Sequence, residues 1–317
     1  MSSIACLPPM HDKDTLRRFL FEHYPIRGHL VHLDASWRAL LEHHHYPEAV
    51  RDRLGEALAA AVLLAATLKF DGNLSLQLRG KGPMHLMLAQ CSSELAIRGV
   101  ARYNDAVAGS DLLELAGEGT LTVTLENEDL SQRYQGIVPL TRASLAGCLQ
   151  LYFETSEQLP TRLWLHSDGG AVSGLLLQRL PADSVLKRPA AAPESIERSL
   201  DVAGVDDAWR RVQLLGDTLT PEELRALADQ QILRRLFAED DVRMFESAPV
   251  YFRCRCSRER VSGMLQTLGE AEIRTVLAEQ GTVEVRCDFC NRAYVFDAVD
   301  VEGLFKTSQA DGSKTVH

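Results

Sequence analysis

The sequence predicts an α+β fold: an N-terminal core with two β-layers around a buried helix, then a helical linker, then a small C-terminal module built on cysteines. Three observations predict it. The stretch Ala57-Leu-Ala-Ala-Ala-Val-Leu-Leu-Ala-Ala66 is apolar on every side of a helix, so it needs cover all round rather than along one face. Segments of alternating apolar and polar residues follow it at short intervals, as half-buried strands do. Beyond Pro181 the composition turns to proline and alanine and then to acidic helix formers, and four cysteines cluster in the last fifth of the chain. The expected boundaries are 1–182 for the core, 183–250 for the linker and 251–317 for the cysteine module.

In chain order, Leu16, Phe19 and Leu20 suggest a short amphipathic helix over Asp14–Glu22, with Asp14 or Thr15 as its cap and Pro25 beyond its end. A strand is expected at His29–Leu33, then a helix capped by Ser36 that carries Trp37, Leu40 and Leu41. The triplet His43, His44 and His45 reads as a polar helix end, because adjacent helical residues point in different directions and do not converge on one metal. The long helix starts near Pro47, a good first-turn residue, and runs to about Leu68.

Strands then dominate. Leu74, Leu76 and Leu78 alternate with polar residues, as do Met84, Leu86 and Leu88, with Arg79-Gly-Lys-Gly-Pro83 as the turn between them. Gly80-Lys81 fails as a phosphate loop, since position 75 is Ser75 and position 82 is Gly82 where the motif needs glycine and a hydroxyl residue. Further strands are expected at Ala96–Tyr103, Leu121–Leu125, Tyr134–Val138, Arg162–His166 and Val172–Leu180, with a helix over Ser144–Phe153. Pro181, Pro189, Pro193 and three consecutive alanines mark the start of the linker. Thr220-Pro-Glu-Glu223 is a capping box that opens one helix carrying Leu224, Leu227, Ile232, Leu233, Leu236 and Phe237. Residues 183–250 hold 14 acidic and 9 basic side chains, with too little apolar material for a core of their own but enough to dock on another surface.

Size and charge bound the function. A chain of 317 residues is long enough for two or three domains. A formal charge of −10 and 6% aromatic residues argue against a nucleic-acid binder, which needs a basic face and stacking rings. The longest apolar run has ten residues, too few to cross a bilayer of ~30 Å, and the first residues lack the basic and apolar regions of a signal peptide. The seven cysteines are not a secreted disulfide framework, so a reducing cytoplasm is the expected compartment. Cys6, Cys91 and Cys148 are scattered and read as small hydrophobes.

The other four carry the chemistry. Cys254 and Cys256 form C-R-C, Cys287 and Cys290 form C-D-F-C, and thirty residues separate the pairs. Four soft thiolates suit tetrahedral Zn2+ and leave no position for a reactive water, so hydrolytic catalysis is not expected. The second pair has ordinary zinc-knuckle spacing, whereas the single residue inside the first keeps its sulfurs close enough to oxidise to one another. Three readings of the residues stay open: a metal-free dithiol centre, a purely structural zinc staple, and a switch in which oxidation destroys the ligands. The switch has a physical basis, because zinc supplies most of the folding energy of so small a module and thiolates are the form that oxidants attack. A thiol–disulfide oxidoreductase and a zinc-ribbon that binds nucleic acid are the alternatives. The first usually sets C-x-x-C at a helix start, and the second is disfavoured by 7 basic against 8 acidic residues over 251–300.

The segments T-L-K-F-D-G (67–72), G-K-G-P-M (80–84), R-G-V-A-R (98–102), Y-Q-G-I-V (134–138), S-E-Q-L-P-T-R-L (156–163), C-R-C-S-R-E-R (254–260) and C-D-F-C (287–290) together resemble the redox-regulated thirty-three-kilodalton heat-shock holdase chaperones of bacteria. The resemblance covers almost the whole chain. It implies a non-enzymatic, ATP-independent cytoplasmic chaperone of the oxidative stress response. In its reduced, inactive state one Zn2+ per chain is held by Cys254, Cys256, Cys287 and Cys290. Oxidation would pair Cys254 with Cys256 and Cys287 with Cys290, release the zinc and unfold the linker. The implied partners are unfolding client proteins and, in the oxidised form, a second copy of the chain; nucleic acid and membrane are not among them.

Overall fold

The computed structural model describes residues 13–42, 44–107, 109–127, 133–181 and 202–311. The chain divides after Phe252 into two compact units. The first opens with strands β1 (Thr15–Phe21) and β2 (Ile26–Leu33) and helices α1 (Ala35–Leu41) and α2 (Glu48–Ala65). Strands β3 (Gly72–Gly80), β4 (Met84–Ser92) and β5 (Ala96–Tyr103), helix α3 (Leu112–Ala116), strands β6 (Gly119–Asn127) and β7 (Arg133–Pro139) and helix α4 (Leu145–Thr155) follow. Strands β8 (Thr161–Ser167) and β9 (Val172–Arg179), helices α5 (Val202–Gly216), α6 (Pro221–Ala226) and α7 (Asp229–Leu236), and strands β10 (Val242–Pro249) and β11 (Tyr251–Phe252) complete it.

Two sheets sandwich α2. The first has the order β10-β1-β2-β9-β8 and the second β11-β5-β4-β3-β6-β7, antiparallel except where β11 pairs parallel with β5. Every residue of α2 from Leu54 to Ala65 is buried, and the helix packs on β2, β8 and β9 on one side and β3, β4 and β5 on the other. The two β-layers around a buried helix are thus as expected, and the reason is the absence of a polar face. Gly55 permits the close approach to the first sheet: a Cβ there would lie 2.0 Å from Ser167 Oγ and 2.8 Å from Val172. The turn at residues 81–83 joins β3 to β4 as a hairpin, as expected of a stretch that fails as a phosphate loop.

Residues 15–21 correct the expectation of a helix. They form β1, paired with β2 on one side and β10 on the other. The helix-like spacing of Leu16, Phe19 and Leu20 has a different cause. Leu16 packs inward with the α2 core while Phe19 and Phe21 pack outward, so a strand buried on both faces alternates between two cores and its apolar residues read like a helical stripe. Asp14 does cap a helix, but α1 rather than one of its own. Its carboxylate accepts from the backbone N–H groups of Asp34 (3.0 Å), Ala35 (2.9 Å) and Ser36 (2.8 Å), so Ser36 sits in the first turn instead of at the cap.

The outer face of the first sheet is covered by the acidic segment. Phe19, Phe21, Ile26, Leu30, Leu175 and Leu177 from the strands form one buried cluster with Trp209, Val212, Leu224, Ile232, Leu233, Leu236 and Phe237. The rings of Phe21 and Phe237 meet edge to face at 5.0 Å. The capping box is present, with Thr220 Oγ1 accepting from Glu223 N–H at 3.2 Å and Glu223 Oε2 accepting from Thr220 N–H at 3.1 Å. The single helix expected after it is broken. Leu227 and Ala228 are extended, so α6 ends and α7 begins afresh at Asp229. The linker's last residues are β10, an edge strand of the core sheet, which the sequence reading did not anticipate. The proline- and alanine-rich stretch at its start lies outside the described residues, as do Cys6 and His43.

The second unit holds helices α8 (Arg258–Leu268) and α9 (Glu270–Gln280), the hairpin β12 (Val283–Arg286) and β13 (Ala293–Phe296), and helix α10 (Ala298–Asp311). Among the described residues its buried core is Val261, Leu265, Ile273, Val283, Tyr294, Phe296 and Val301. A core that small does not hold a domain of this length folded alone.

Candidate metal centre

Cys254 and Cys256 lie between β11 and α8. Ser257 directly after them caps α8, its Oγ accepting from Arg260 N–H at 3.3 Å. The helix start therefore fixes the end of the C-R-C loop. Arg260 reaches back to donate to the carbonyl of Arg255 at 2.9 Å. Arg258 stacks on the Phe296 ring, donates to the carbonyl of Val295 and pairs with Asp300 at 2.7 Å, tying α8 to β13 and α10.

Cys287 and Cys290 occupy the turn of the β12–β13 hairpin. Cys287 N–H donates to the Arg292 carbonyl at 3.0 Å, and Asn291 N–H donates to the Cys287 carbonyl at 2.8 Å. The turn closes through Asn291 at φ 52°, a left-handed conformation that asparagine tolerates better than most residues. This C-x-x-C joins two antiparallel strands and does not open a helix, unlike the frame expected of an oxidoreductase.

The two loops bring all four Sγ atoms within 4.8 Å of one another. Among the described residues it is the one place where three or more metal-ligating side chains converge in this way. Cys254 and Cys287 sulfurs are 3.5 Å apart, and those of Cys256 and Cys290 3.4 Å. A tetrahedron with metal–sulfur bonds of ~2.3 Å has edges of about 3.8 Å, so the four sulfurs fit a tetrahedral thiophilic ion. Both of these contacts run between the loops, so sulfur proximity by itself does not select the pairing within C-R-C and within C-D-F-C.

The electrostatics favour a cation at this point. Burial pushes the thiols of Cys254 and Cys290 up. Burial acts the same way on Cys256, but hydrogen bonds from Tyr294 and from the neighbouring sulfurs bring it down to about 7. Sulfurs this close resist sharing more than one negative charge unless a positive ion lies among them. Tyr294 O–H donates to Cys256 Sγ at 3.1 Å from β13. The sequence reading missed this residue; the signal for it was an aromatic hydroxyl four positions beyond Cys290.

His44, His45, Cys91 and Cys148 have other surroundings. His44 stacks on Tyr46 with ring centroids 5.3 Å apart, and the His45 carbonyl accepts from Tyr103 O–H at 2.9 Å. Cys91 and Cys148 are buried in the sandwich core, and burial pushes the Cys91 thiol up to about 12, so it is inert.

Comparison with known proteins follows the same lines. The family model described as Hsp33 protein matches residues 14–297. The 33 kDa chaperonin of Methylobacillus flagellatus is 44% identical over 94% of this chain and 96% of its own length. The protein of the same name from Pseudomonas aeruginosa is 46% identical over 97% of this chain and all of its own. The crystal structure of the 33 kDa chaperonin from Thermotoga maritima superposes with a TM-score of 0.76 at 25% identity, covering 94% of this chain and all of that one.

Proposed function

Because this chain belongs to the Hsp33 family, whose curated relatives carry the name 33 kDa chaperonin, we propose that it is a redox-regulated, ATP-independent holdase of the cytoplasm. It would bind unfolding proteins under oxidative stress without catalysing a reaction, and neither nucleic acid nor membrane would be a partner. The convergence of four cysteine sulfurs carries this reading. It is supported by the acidic segment that precedes the module in the sequence, whose helices cover an apolar sheet face.

In the resting state Cys254, Cys256, Cys287 and Cys290 hold one Zn2+. The ion keeps the sulfurs as thiolates and supplies roughly 10–16 kcal/mol, most of what folds the module. The chain's own residues then define the switch. The two thiolates of a pair lose two electrons to an oxidant such as hydrogen peroxide, which takes two protons from solvent and leaves as two waters, and one S–S bond forms. Pairs 254–256 and 287–290 form because each stays together when the module loosens, whereas sulfurs on different loops are separated by thirty residues of chain. With its ligands consumed, the module's small core no longer holds. In functional terms residues 251–317 are the switch, 183–250 the released linker and 1–182 the core that meets clients. The oxidised form is expected to dimerise.

The test is suppression of aggregation of a heat-denaturing client. Fully reduced, zinc-loaded protein should fail and protein treated with peroxide at elevated temperature should succeed, without ATP. Equal protection by both forms contradicts regulation; protection by neither contradicts the chaperone.

A further inference from the structure

The break between α6 and α7 has no proline or glycine to explain it. What marks it is Asp229, a carboxylate at the first position of α7 that is 5% exposed. A buried carboxylate needs partners, and Asp229 finds both on the core sheet. Arg17 Nε of β1 donates to Asp229 Oδ2 at 2.5 Å, and His32 Nε2 of β2 lies 3.0 Å from Asp229 Oδ1, off the hydrogen-bond direction. Burial alone would push this carboxyl up; His32 and Arg17 more than offset it and hold it below the usual carboxylate range.

Arg17 also reaches the other end of the same segment. Its Nη1 donates to the carbonyl of Phe245 at 3.1 Å, in the stretch of β10 that the bulge leaves out of register with β1. One core side chain thus fastens both α7 and β10. His32 continues the chain of contacts, with its Nδ1 3.3 Å from Ser173 Oγ of β9. The three members come from distant parts of the sequence, and Arg17 and Asp229 set opposite charges against each other where little water reaches.

We infer that Asp229, acting through Arg17 and His32, is a positioning residue that seats α7 and β10 on the core sheet and so sets how readily the linker is released. The inference deepens the redox reading, since release of this segment is the event that reading requires. It adds that docking is governed by a buried charge cluster as well as by apolar contact. Removing one member strands the others in a poorly solvated place, which is far more disruptive than replacing the whole pair by apolar groups of similar size.

The test uses the full chain, reduced and zinc-loaded, as wild type, Asp229→Asn, and the double variant Arg17→Met/Asp229→Leu. Amide hydrogen exchange is read separately for α2, α6, α7 and β10. In Asp229→Asn the amides of α6, α7 and β10 should exchange at least about tenfold faster, with α2 protection and zinc content unchanged. The double variant should recover most of the lost protection, a rescue that a merely space-filling aspartate would not show. Unchanged exchange in α7, loss of α2 protection as well, or a double variant as loose as the single one would each overturn the inference. Aggregation suppression by the same samples bears on the chaperone reading separately. A variant with a released segment and no protection under reducing conditions would leave the clamp standing and refute the link from release to activity.

Discussion

Tyr294 donates a hydrogen bond to the sulfur of Cys256 across 3.1 Å, from the strand that follows the second cysteine pair to the first. The contact bridges the two loops without being part of the ligand set. Tyr294 is itself buried in the module's small core, so ligand geometry and core packing share one side chain. Tyr294→Phe keeps the packing and removes only the donor. Zinc affinity is expected to fall by roughly 10-fold to 100-fold, as loss of an outer-sphere partner does, with the module still folded when zinc is saturating. Competition against a chromophoric chelator measures it.

Cys287→Ser removes one of four thiolates. Zinc retention should fall, and the β12–β13 hairpin should lose amide protection without any oxidant, because the module's core cannot substitute for the metal. Metal stoichiometry with limited proteolysis decides this: unchanged zinc and unchanged cleavage would count against it.

Phe237 is 2% exposed and its ring packs on Phe19 and Phe21. Phe237→Asp places an unpaired charge there and should cost the docked segment on the order of 3–5 kcal/mol. Leu233→Asp, one turn earlier, should act in the same direction. Hydrophobic-dye binding in reducing buffer should rise, with the sandwich around α2 intact. A dye signal equal to wild type would contradict this.

These variants separate what the residues reveal locally from what only the fold brings together. The buried helix was legible because Ala57 to Ala66 offers water no polar side, and the hairpin of β3 and β4 because alternation flanks a glycine-proline turn. The cysteine set was legible from residue type and spacing alone. Strand β1 was misread because both of its faces are covered, so its apolar residues mimic a helical stripe. Strand β10 was hidden for a related reason: Val242-Arg-Met-Phe-Glu-Ser-Ala-Pro249 shows no clean alternation, and its pairing partner lies more than two hundred residues away. Asp229 looked like an ordinary acidic first-turn residue. Nothing nearby in the sequence announces that Arg17 and His32 will enclose it.

Glu56 gives the core a pH signature. It sits on α2, 8% exposed, and burial raises its carboxyl to about 7 despite Arg53 Nη2 at 2.8 Å. The folded value lies above the unfolded one, so this group's stabilisation is fully present below about pH 4.3 and is lost as pH rises through about 7. The loss amounts to something on the order of 3 kcal/mol. Glu56→Gln should flatten the dependence of unfolding free energy on pH between about 5 and 8 and leave the variant relatively more stable at the alkaline end. Denaturant titrations of the reduced protein across that range measure it; an identical pH slope in both proteins would contradict the assignment.

The central claim is that bridging the sulfurs and letting go of the metal are one event. The most direct measurement is zinc content and free-thiol count on the same sample, before and after mild peroxide treatment at elevated temperature. The account predicts one zinc per reduced chain, and loss of that zinc in step with the disappearance of the thiols of Cys254, Cys256, Cys287 and Cys290. Reduced protein without metal, or oxidised protein that keeps its metal, would contradict it.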